Sequence, residues 1–190
     1  MAVDAVSPAG EGMSVVSGRA SADGSMPAGK AAPAGGLPGG RKYDVGYVAG
    51  VFDLFHIGHL NLLRRAKEQC SHLIVGVVTD EGVMRHKRST PQIPFSERIE
   101  IVRACRYVDE AVEIPLDQGD TDEAYRRYHF DVQFSGSDYA DDPRWQAKRD
   151  FLQRHGSDLV FFPYTEGVST TQLKDKVNHR QQTPKGDKEK

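Results

Sequence analysis

The stretch "YDVGYVAGVF" (43–52), with "HLNLLRRAKEQC" (59–70) and "HLIVGVV" (72–78) after it, decides the fold. The first and third segments are nearly unbroken apolar runs, which are typical of strands covered on both faces of a sheet. The middle segment places apolar residues from Leu60 to Ala66 on one side of a helix. A strand, a helix and a second strand in this order predict two parallel strands joined by a crossover helix.

The same alternation continues to residue 177. Further strands are predicted at 110–115, 131–136 and 158–164, and further helices at 95–108, 121–130, 143–156 and 169–177. After the second strand, residues 84–90 are predicted to form a basic loop. The whole pattern predicts an α/β, Rossmann-like doubly wound fold, with a mainly parallel five-stranded sheet and helices on both faces.

Both ends of the chain differ in composition from its centre. Glycine, alanine and proline account for 22 of the first 40 residues, and no aromatic residue occurs there. Such a segment buries too little apolar surface to offset its chain entropy. We therefore predict a disordered tail at 1–40, one folded domain at 41–177 and a polar tail at 178–190.

The overall composition excludes several classes of partner. The chain has 25 basic and 27 acidic residues and a net charge of −2, so no strong positive field attracts nucleic acid or an anionic membrane. No apolar run approaches the roughly 20 residues that span a bilayer. The only cysteines, Cys70 and Cys105, are expected to be reduced thiols. A cytoplasmic protein without a membrane span or a nucleic-acid partner is predicted.

Two polar stretches follow the first and the last predicted strand. They are "GVFDLFHIGH" (50–59), with His56 and His59, and "YTEGVSTT" (164–171). In a parallel sheet, ligands bind beyond the carboxyl ends of the strands, so both stretches are expected at one edge. The second stretch also contains a capping-box pattern, Ser169 followed by Gln172, which predicts a helix start.

The residue types around the histidines leave three interpretations open. Two imidazoles three residues apart can face one metal ion, but a zinc site needs a third ligand, for which Asp53 is available. The histidines can also simply begin a helix. Phosphate binding is the third interpretation: Gly58 lets a polyphosphate approach the free N–H groups of a helix start, and imidazoles there donate hydrogen bonds to phosphoryl oxygens.

The longer stretch "GVFDLFHIGHLNLLRRAK" (50–67) resembles the signature of the cytidylyltransferase family, which are nucleotidyltransferases with a His-x-Gly-His motif. The stretch "YTEGVSTT" is similar to the Arg-Thr-Glu-Gly-Ile-Ser-Thr motif of glycerol-3-phosphate, choline-phosphate and ethanolamine-phosphate cytidylyltransferases. The resemblance covers about residues 43–177 and is closest to the bacterial glycerol-3-phosphate enzymes.

This resemblance implies an enzyme that transfers CMP from CTP to a small phospho-alcohol and releases pyrophosphate. Glycerol 3-phosphate is the favoured acceptor, followed by phosphoethanolamine and phosphocholine. An ATP-dependent adenylyltransferase of the same fold and a non-catalytic nucleotide-binding module are the alternatives. Mg²⁺ is implied as the partner of the triphosphate, and the resemblance favours a homodimer.

The resemblance also implies which residues act. His56, His59 and Lys87 are expected to act on the phosphates during catalysis. The residues expected to bind the nucleotide are Val51, Phe52, Asp53, Gly58, Arg88, Arg98, Asp138, Tyr164, Thr165, Glu166, Gly167, Val168, Ser169, Thr170 and Thr171. Some have structural alternatives: Asp53 as a helix N-cap, Arg98 in a surface salt bridge, and the basic run near Lys87 as a solvated face.

Two positions depart from the family pattern. Tyr164 stands where the second motif begins with arginine, and a phenol cannot replace a bidentate cation on a phosphate. In residues 117–130 there is no match for a lysine that the glycerol-3-phosphate enzymes place near the acceptor. Arg126 or Arg127 is the expected substitute.

Overall fold

The structure of the chain is a computed structural model that describes residues 40–87, 90–115 and 121–174, without the side chains of residues 86 and 87. The predicted tails lie outside these residues, except for Gly40. Arg88 lies outside them too. Within the described part of the chain, no helix is long and apolar enough to cross a membrane.

Strands and helices alternate along the folded chain. The strands are β1 (Tyr43–Gly50), β2 (Cys70–Val78), β3 (Glu110–Ile114), β4 (Val132–Gly136) and β5 (Asp158–Phe162). The helices are α1 (Ile57–Gln69), α2 (Asp80–Lys87), α3 (Phe95–Arg103), α4 (Thr121–Tyr128) and α5 (Pro143–Arg154), with a short 3-10 helix at Ser137–Tyr139. Residues 170–174 are also helical and are called the C-terminal helical segment.

The five strands form one parallel sheet in the order β3-β2-β1-β4-β5, which confirms the predicted fold class. Strand β1 lies at the centre, where Tyr47 pairs with Ile74 of β2 on one side and with Gln133 of β4 on the other. The order of the strands reverses between β1 and β4. A crevice therefore opens beyond the carboxyl ends of these two strands.

Apolar residues cover the sheet on both faces. One core contains Val48 of β1 together with Leu63 of α1 and Val102 of α3. The other contains Tyr47 of β1 and Leu152 of α5. Because neighbouring residues of a strand point to opposite faces, the near-continuous apolar runs of the sequence fill both cores.

The predicted basic loop at 84–90 is wrong for its first half, because α2 extends to Lys87. The hydroxyl oxygen of Thr79 accepts a hydrogen bond from the Gly82 N–H group at 3.1 Å, which satisfies one backbone donor at the start of the helix. Asp80 and Glu81 place negative charge in the first turn, which also favours a helix. Thr79, Asp80 and Glu81 therefore indicated a helix start in the sequence, but the prediction relied on the basic residues that follow them.

Candidate active site

A cleft of about 670 Å³ opens at the carboxyl ends of β1 and β4, a volume typical of small-molecule sites. The structure brings both polar stretches to this edge, as the parallel sheet led us to expect. Most of the residues expected to act on the substrates line this cleft. They are His56, His59, Val51, Phe52, Asp53, Gly58, Asp138, Tyr164, Thr165, Val168, Ser169, Thr170 and Thr171.

The chain between β1 and α1 turns sharply through two left-handed residues, Phe52 (φ 55°) and Leu54 (φ 48°). A left-handed backbone costs a residue with a side chain about 1–2 kcal/mol. Phe52 is buried, and its ring contacts the imidazole of His59 at 5.3 Å between centroids, which helps to hold the turn. Strain of this kind concentrates at functional sites.

His56 and His59 form a capping box at the start of α1. The Nδ1 atom of His56 accepts the Gly58 N–H group at 3.1 Å, and the Nδ1 atom of His59 accepts the His56 N–H group at 3.4 Å. A neutral imidazole that accepts at Nδ1 carries its proton on Nε2. Both rings line the cleft, so the two histidines begin the helix and also present Nε2–H donors to a ligand.

Gly58 is required by the ring of His56. A Cβ atom on Gly58 would lie 2.8 Å from Cε1 and 2.9 Å from Nδ1 of that ring. The absence of a side chain at this position therefore lets His56 cap the helix. This contact explains the glycine without the expected approach of a polyphosphate.

Burial lowers the pKa of His56 below its ordinary value of 6.5, so the ring is neutral at pH 7. A titrating group with a lowered native pKa stabilises the fold above its unfolded pKa, and that contribution is lost as the pH falls through the native pKa.

We expect the free energy of unfolding, measured by urea denaturation, to fall as the pH drops below 6.5. His56→Asn keeps a capping oxygen but does not titrate, so its stability should fall less; an identical pH dependence would contradict this role.

Asp53 fastens three segments together. Its buried carboxylate accepts the N–H groups of Gln92 and Ile93 at 2.9 and 3.0 Å and pairs with the ammonium group of Lys174 at 2.9 Å. Burial alone would raise the pKa of Asp53, but the hydrogen bonds from Lys174 and from the two backbone groups outweigh it and lower the pKa. The alternative of Asp53 as the helix N-cap is wrong, because His56 is the N-cap.

The second stretch contacts the first directly. The hydroxyl of Thr170 donates to the backbone oxygen of Asp53 at 3.1 Å and lies 3.5 Å from Nε2 of His56. The hydroxyl oxygen of Ser169 accepts the Gln172 N–H group at 3.1 Å, as the predicted helix start requires. These contacts place hydroxyl groups beside the imidazoles, where polar ligand atoms would sit.

Arg98 lies behind the wall of the cleft and is fully buried. Its guanidinium group donates to the backbone oxygens of Val51 (2.5 Å) and Ile93 (2.9 Å) and to the carboxylate of Asp80 (2.6 Å). We therefore correct the expectation that Arg98 touches the nucleotide. A surface salt bridge is wrong as well, because the side chain is inside the protein and positions the loop after β1.

The other expected residues have different outcomes. Glu166 and Gly167 are exposed and do not line the cleft. A Cβ atom on Gly167 would contact nothing, so the reason for a glycine there is its left-handed backbone (φ 79°) and not a lack of space. The hydroxyl of Tyr164 donates to the Val168 oxygen at 3.1 Å. Lys87 ends α2, but its side chain lies outside the described part of the structure.

The substitutes expected for the missing lysine are also corrected. Arg126 pairs with Asp122 at 3.0 Å, and the guanidinium group of Arg127 lies over the ring of Tyr128 at 5.5 Å. Neither arginine lines the cleft.

Sequence reasoning missed three cations that line the cleft, namely Arg65, Lys148 and Lys174. Arg65 donates to the backbone oxygen of Pro163 at 2.9 Å and so holds the chain that follows β5. Lys174 lies one helical turn beyond Thr170, a spacing that would have revealed it. No signal in the sequence singled out Lys148. Among the described residues, no three His, Cys, Asp or Glu side chains are grouped so as to hold a metal ion.

A doubly wound parallel sheet, with helix-capping imidazoles and hydroxyl groups at its carboxyl edge, is typical of α/β proteins that bind nucleotides. The chain matches the cytidylyltransferase-like family over residues 47–176. It therefore belongs to that family, and it is a nucleotidyltransferase.

Curated relatives include enzymes with different substrates. The chain is 36% identical to the glycerol-3-phosphate cytidylyltransferase of Bacillus subtilis over 67% of its own length and 92% of the relative's. It is 38% identical to the ethanolamine-phosphate cytidylyltransferase of Dictyostelium discoideum, over 67% of its own length and 34% of the relative's. It is 49% identical to the FAD synthase of Thermococcus kodakarensis, over 33% of its own length and 42% of the relative's.

The fold is also shared with a solved structure, the lipopolysaccharide core biosynthesis protein of Thermoplasma volcanium. The TM-score is 0.54 at 20% identity, over 66% of this chain and 99% of that one. At this identity the likeness shows that the two proteins share a fold and nothing more.

Proposed function

We propose that the chain transfers CMP from CTP to a small phospho-alcohol and releases pyrophosphate. The observation that carries the proposal is the pair of histidines whose Nδ1 atoms are both helix-capping acceptors, so that each ring carries its proton on Nε2 and lines the cleft in which phosphoryl oxygens would bind. The Bacillus and Dictyostelium relatives, both named as cytidylyltransferases, support CTP and a phospho-alcohol as the substrates.

The proposed reaction needs no covalent intermediate. A phosphate oxygen of the acceptor attacks the α-phosphorus of CTP, and the bond between that phosphorus and the oxygen bridging to the β-phosphate breaks. Pyrophosphate leaves with the bonding electron pair. His56 and His59 donate hydrogen bonds to the phosphoryl oxygens as charge grows on them, and the loop held by Asp53 keeps the rings in place.

Mg²⁺ belongs to this proposal as the partner of the triphosphate. Magnesium sites of this kind use one or two carboxylates together with phosphate oxygens. Asp53 is already bonded to Lys174 and to two backbone groups, whereas Asp138 is an exposed carboxylate on the wall of the cleft, so Asp138 would hold the ion. When bound, the ion neutralises charge on the phosphate oxygens.

An ATP-dependent adenylyltransferase is the second candidate. The 49% identity to an FAD synthase over 63 residues favours it, and so does Tyr164 in place of the motif arginine. Homodimerisation and a cytoplasmic location remain predictions.

The proposed function is tested by pyrophosphate release from the purified chain with Mg²⁺. CTP and ATP are compared, each with glycerol 3-phosphate, phosphoethanolamine and phosphocholine. We expect release with CTP and a phospho-alcohol, with glycerol 3-phosphate favoured. Release with ATP alone would move the chain to the adenylyltransferases. Binding of CTP without release from any combination would favour the non-catalytic module.

A further inference from the structure

The cleft extends to the α4 and α5 side of the sheet. We call this part the acceptor limb and define it by Tyr47 of β1, Gln133 and Ser135 of β4, Thr121 of α4, and Trp145 and Lys148 of α5. Tyr47 and Gln133 are paired across β1 and β4. Tyr47 belongs to the core between the sheet and α5, on the face opposite to α1 and its histidines.

The geometry of phosphoryl transfer decides which substrate enters this limb. The attacking and leaving oxygens lie roughly in line on opposite sides of the transferred phosphorus. The polar groups that would hold the departing pyrophosphate are those of His56 and Thr170, which lie 3.5 Å apart. The acceptor must therefore approach from across the cleft, where the acceptor limb lies.

The buried part of the limb contains polar side chains but no charge. Gln133, Ser135 and Thr121 are buried, and the Oε1 atom of Gln133 has no hydrogen-bond partner among the described residues. An unpaired buried amide oxygen is costly, so a ligand that supplies a donor is favoured there. Rotation about χ3 exchanges the oxygen and nitrogen of the amide, and a hydroxyl group pairs with either because it both donates and accepts.

An ammonium group would be poorly accommodated at the same place. It needs an anionic partner when it is removed from water, and none of the buried limb residues that the structure describes supplies one. The ammonium group of Lys148 in α5 would also repel a second cation. It lies 4.8 Å from the centre of the Trp145 ring and so occupies the aromatic face that would otherwise suit a cation.

We propose that Gln133 and Lys148 determine the acceptor, with Lys148 binding its phosphate and Gln133 a hydroxyl group, so that the acceptor is the phosphomonoester of a neutral polyhydroxy alcohol or sugar rather than of an amino alcohol. This inference rests on the proposed function. It replaces the expected role of Arg126 and Arg127, which lie outside the cleft.

The test compares kcat/KM for glycerol 3-phosphate, a sugar 1-phosphate, phosphoethanolamine and phosphocholine at saturating CTP. The wild-type chain should prefer a polyhydroxy phosphomonoester by at least about tenfold, the size of effect expected when a buried amide such as that of Gln133 is otherwise left without a hydrogen-bond partner. Equal or better turnover of an amino-alcohol phosphate would overturn the inference and leave the proposed function intact. Binding of CTP with no turnover across the panel would instead overturn the proposed function itself in favour of the non-catalytic module, and the inference would fall with it.

Two variants make the assignment specific. Gln133→Met and Lys148→Met should each raise KM for the preferred acceptor about tenfold or more and leave KM for CTP within about twofold. Lys148 is only partly buried, so its variant tests the inference even if Gln133→Met fails to fold. Arg149→Met is the matched control, because Arg149 lies over Phe161 at 5.3 Å and does not line the cleft. A change in KM for CTP instead would show that these residues bind the nucleotide, and would contradict the proposal.

Discussion

Replacing His59 with asparagine is expected to lower the turnover number by about 10²–10³-fold, the usual effect of losing one donor that stabilises charge in a transition state. Asparagine offers an acceptor oxygen close to the place of Nδ1, so the hydrogen bond from the His56 N–H group can persist. What it lacks is a donor at the position of Nε2. The measurement is the rate of pyrophosphate release at saturating CTP, acceptor and Mg²⁺.

His59→Gln is the matched control, because a glutamine amide carries an N–H group at about the position of Nε2. Its turnover should lie well above that of His59→Asn. The far-ultraviolet circular dichroism of both variants should match the wild-type chain, since His59 is only partly buried and the core cluster itself is unchanged. Equal turnover of wild type and His59→Asn would remove this histidine from the mechanism.

The second large effect is expected at Arg98. Arg98→Met should lower the free energy of unfolding by about 3 kcal/mol or more, because the buried guanidinium group donates three hydrogen bonds and each hydrogen bond to a charged group contributes about 1.5–3 kcal/mol. The variant leaves the backbone oxygens of Val51 and Ile93 without their donor and Asp80 without its cation. The measurement is urea denaturation, with the free energy extrapolated linearly to water.

Arg103→Met is the control for Arg98, because it removes an arginine from the same helix. Arg103 is exposed and pairs with Glu100 three residues earlier, so the loss should be no more than about 1 kcal/mol. A loss at Arg98 as small as the loss at Arg103 would mean that the loop after β1 does not depend on the buried guanidinium group.

The fold was predictable because the apolar pattern of each segment agrees with the place of that segment in the sheet. Strand β2 is an apolar, β-branched run, and only a sheet covered on both faces buries such a run completely. Helix boundaries were less predictable. The helix predicted at 95–108 ends at Arg103, since Cys105 and Val108 form a turn through a backbone hydrogen bond of 2.9 Å. No periodicity of apolar residues distinguishes such a turn from a further helical turn.

The site was predictable where a motif is contiguous and unpredictable where it is assembled from distant elements. The spacing of His56 and His59 already indicated a helix start at the edge of the sheet. The burial of Arg98 and the location of Lys148 depend on how α3 and α5 pack against the sheet, which residue spacing does not specify. The role of Asp53 depends on Gln92 and Lys174, 39 and 121 residues further along the chain.

The central claim is that the bond broken in CTP lies between the α- and β-phosphates and that the CMP unit is joined to the acceptor. Phosphorus NMR and the mass of the products formed from CTP, glycerol 3-phosphate and Mg²⁺ test it most directly. The account predicts equal amounts of pyrophosphate and of a cytidine diphosphate ester of the acceptor, and almost none of either with His59→Asn. Products consisting of CDP and inorganic phosphate, or an acceptor ester formed from ATP and not from CTP, would contradict it.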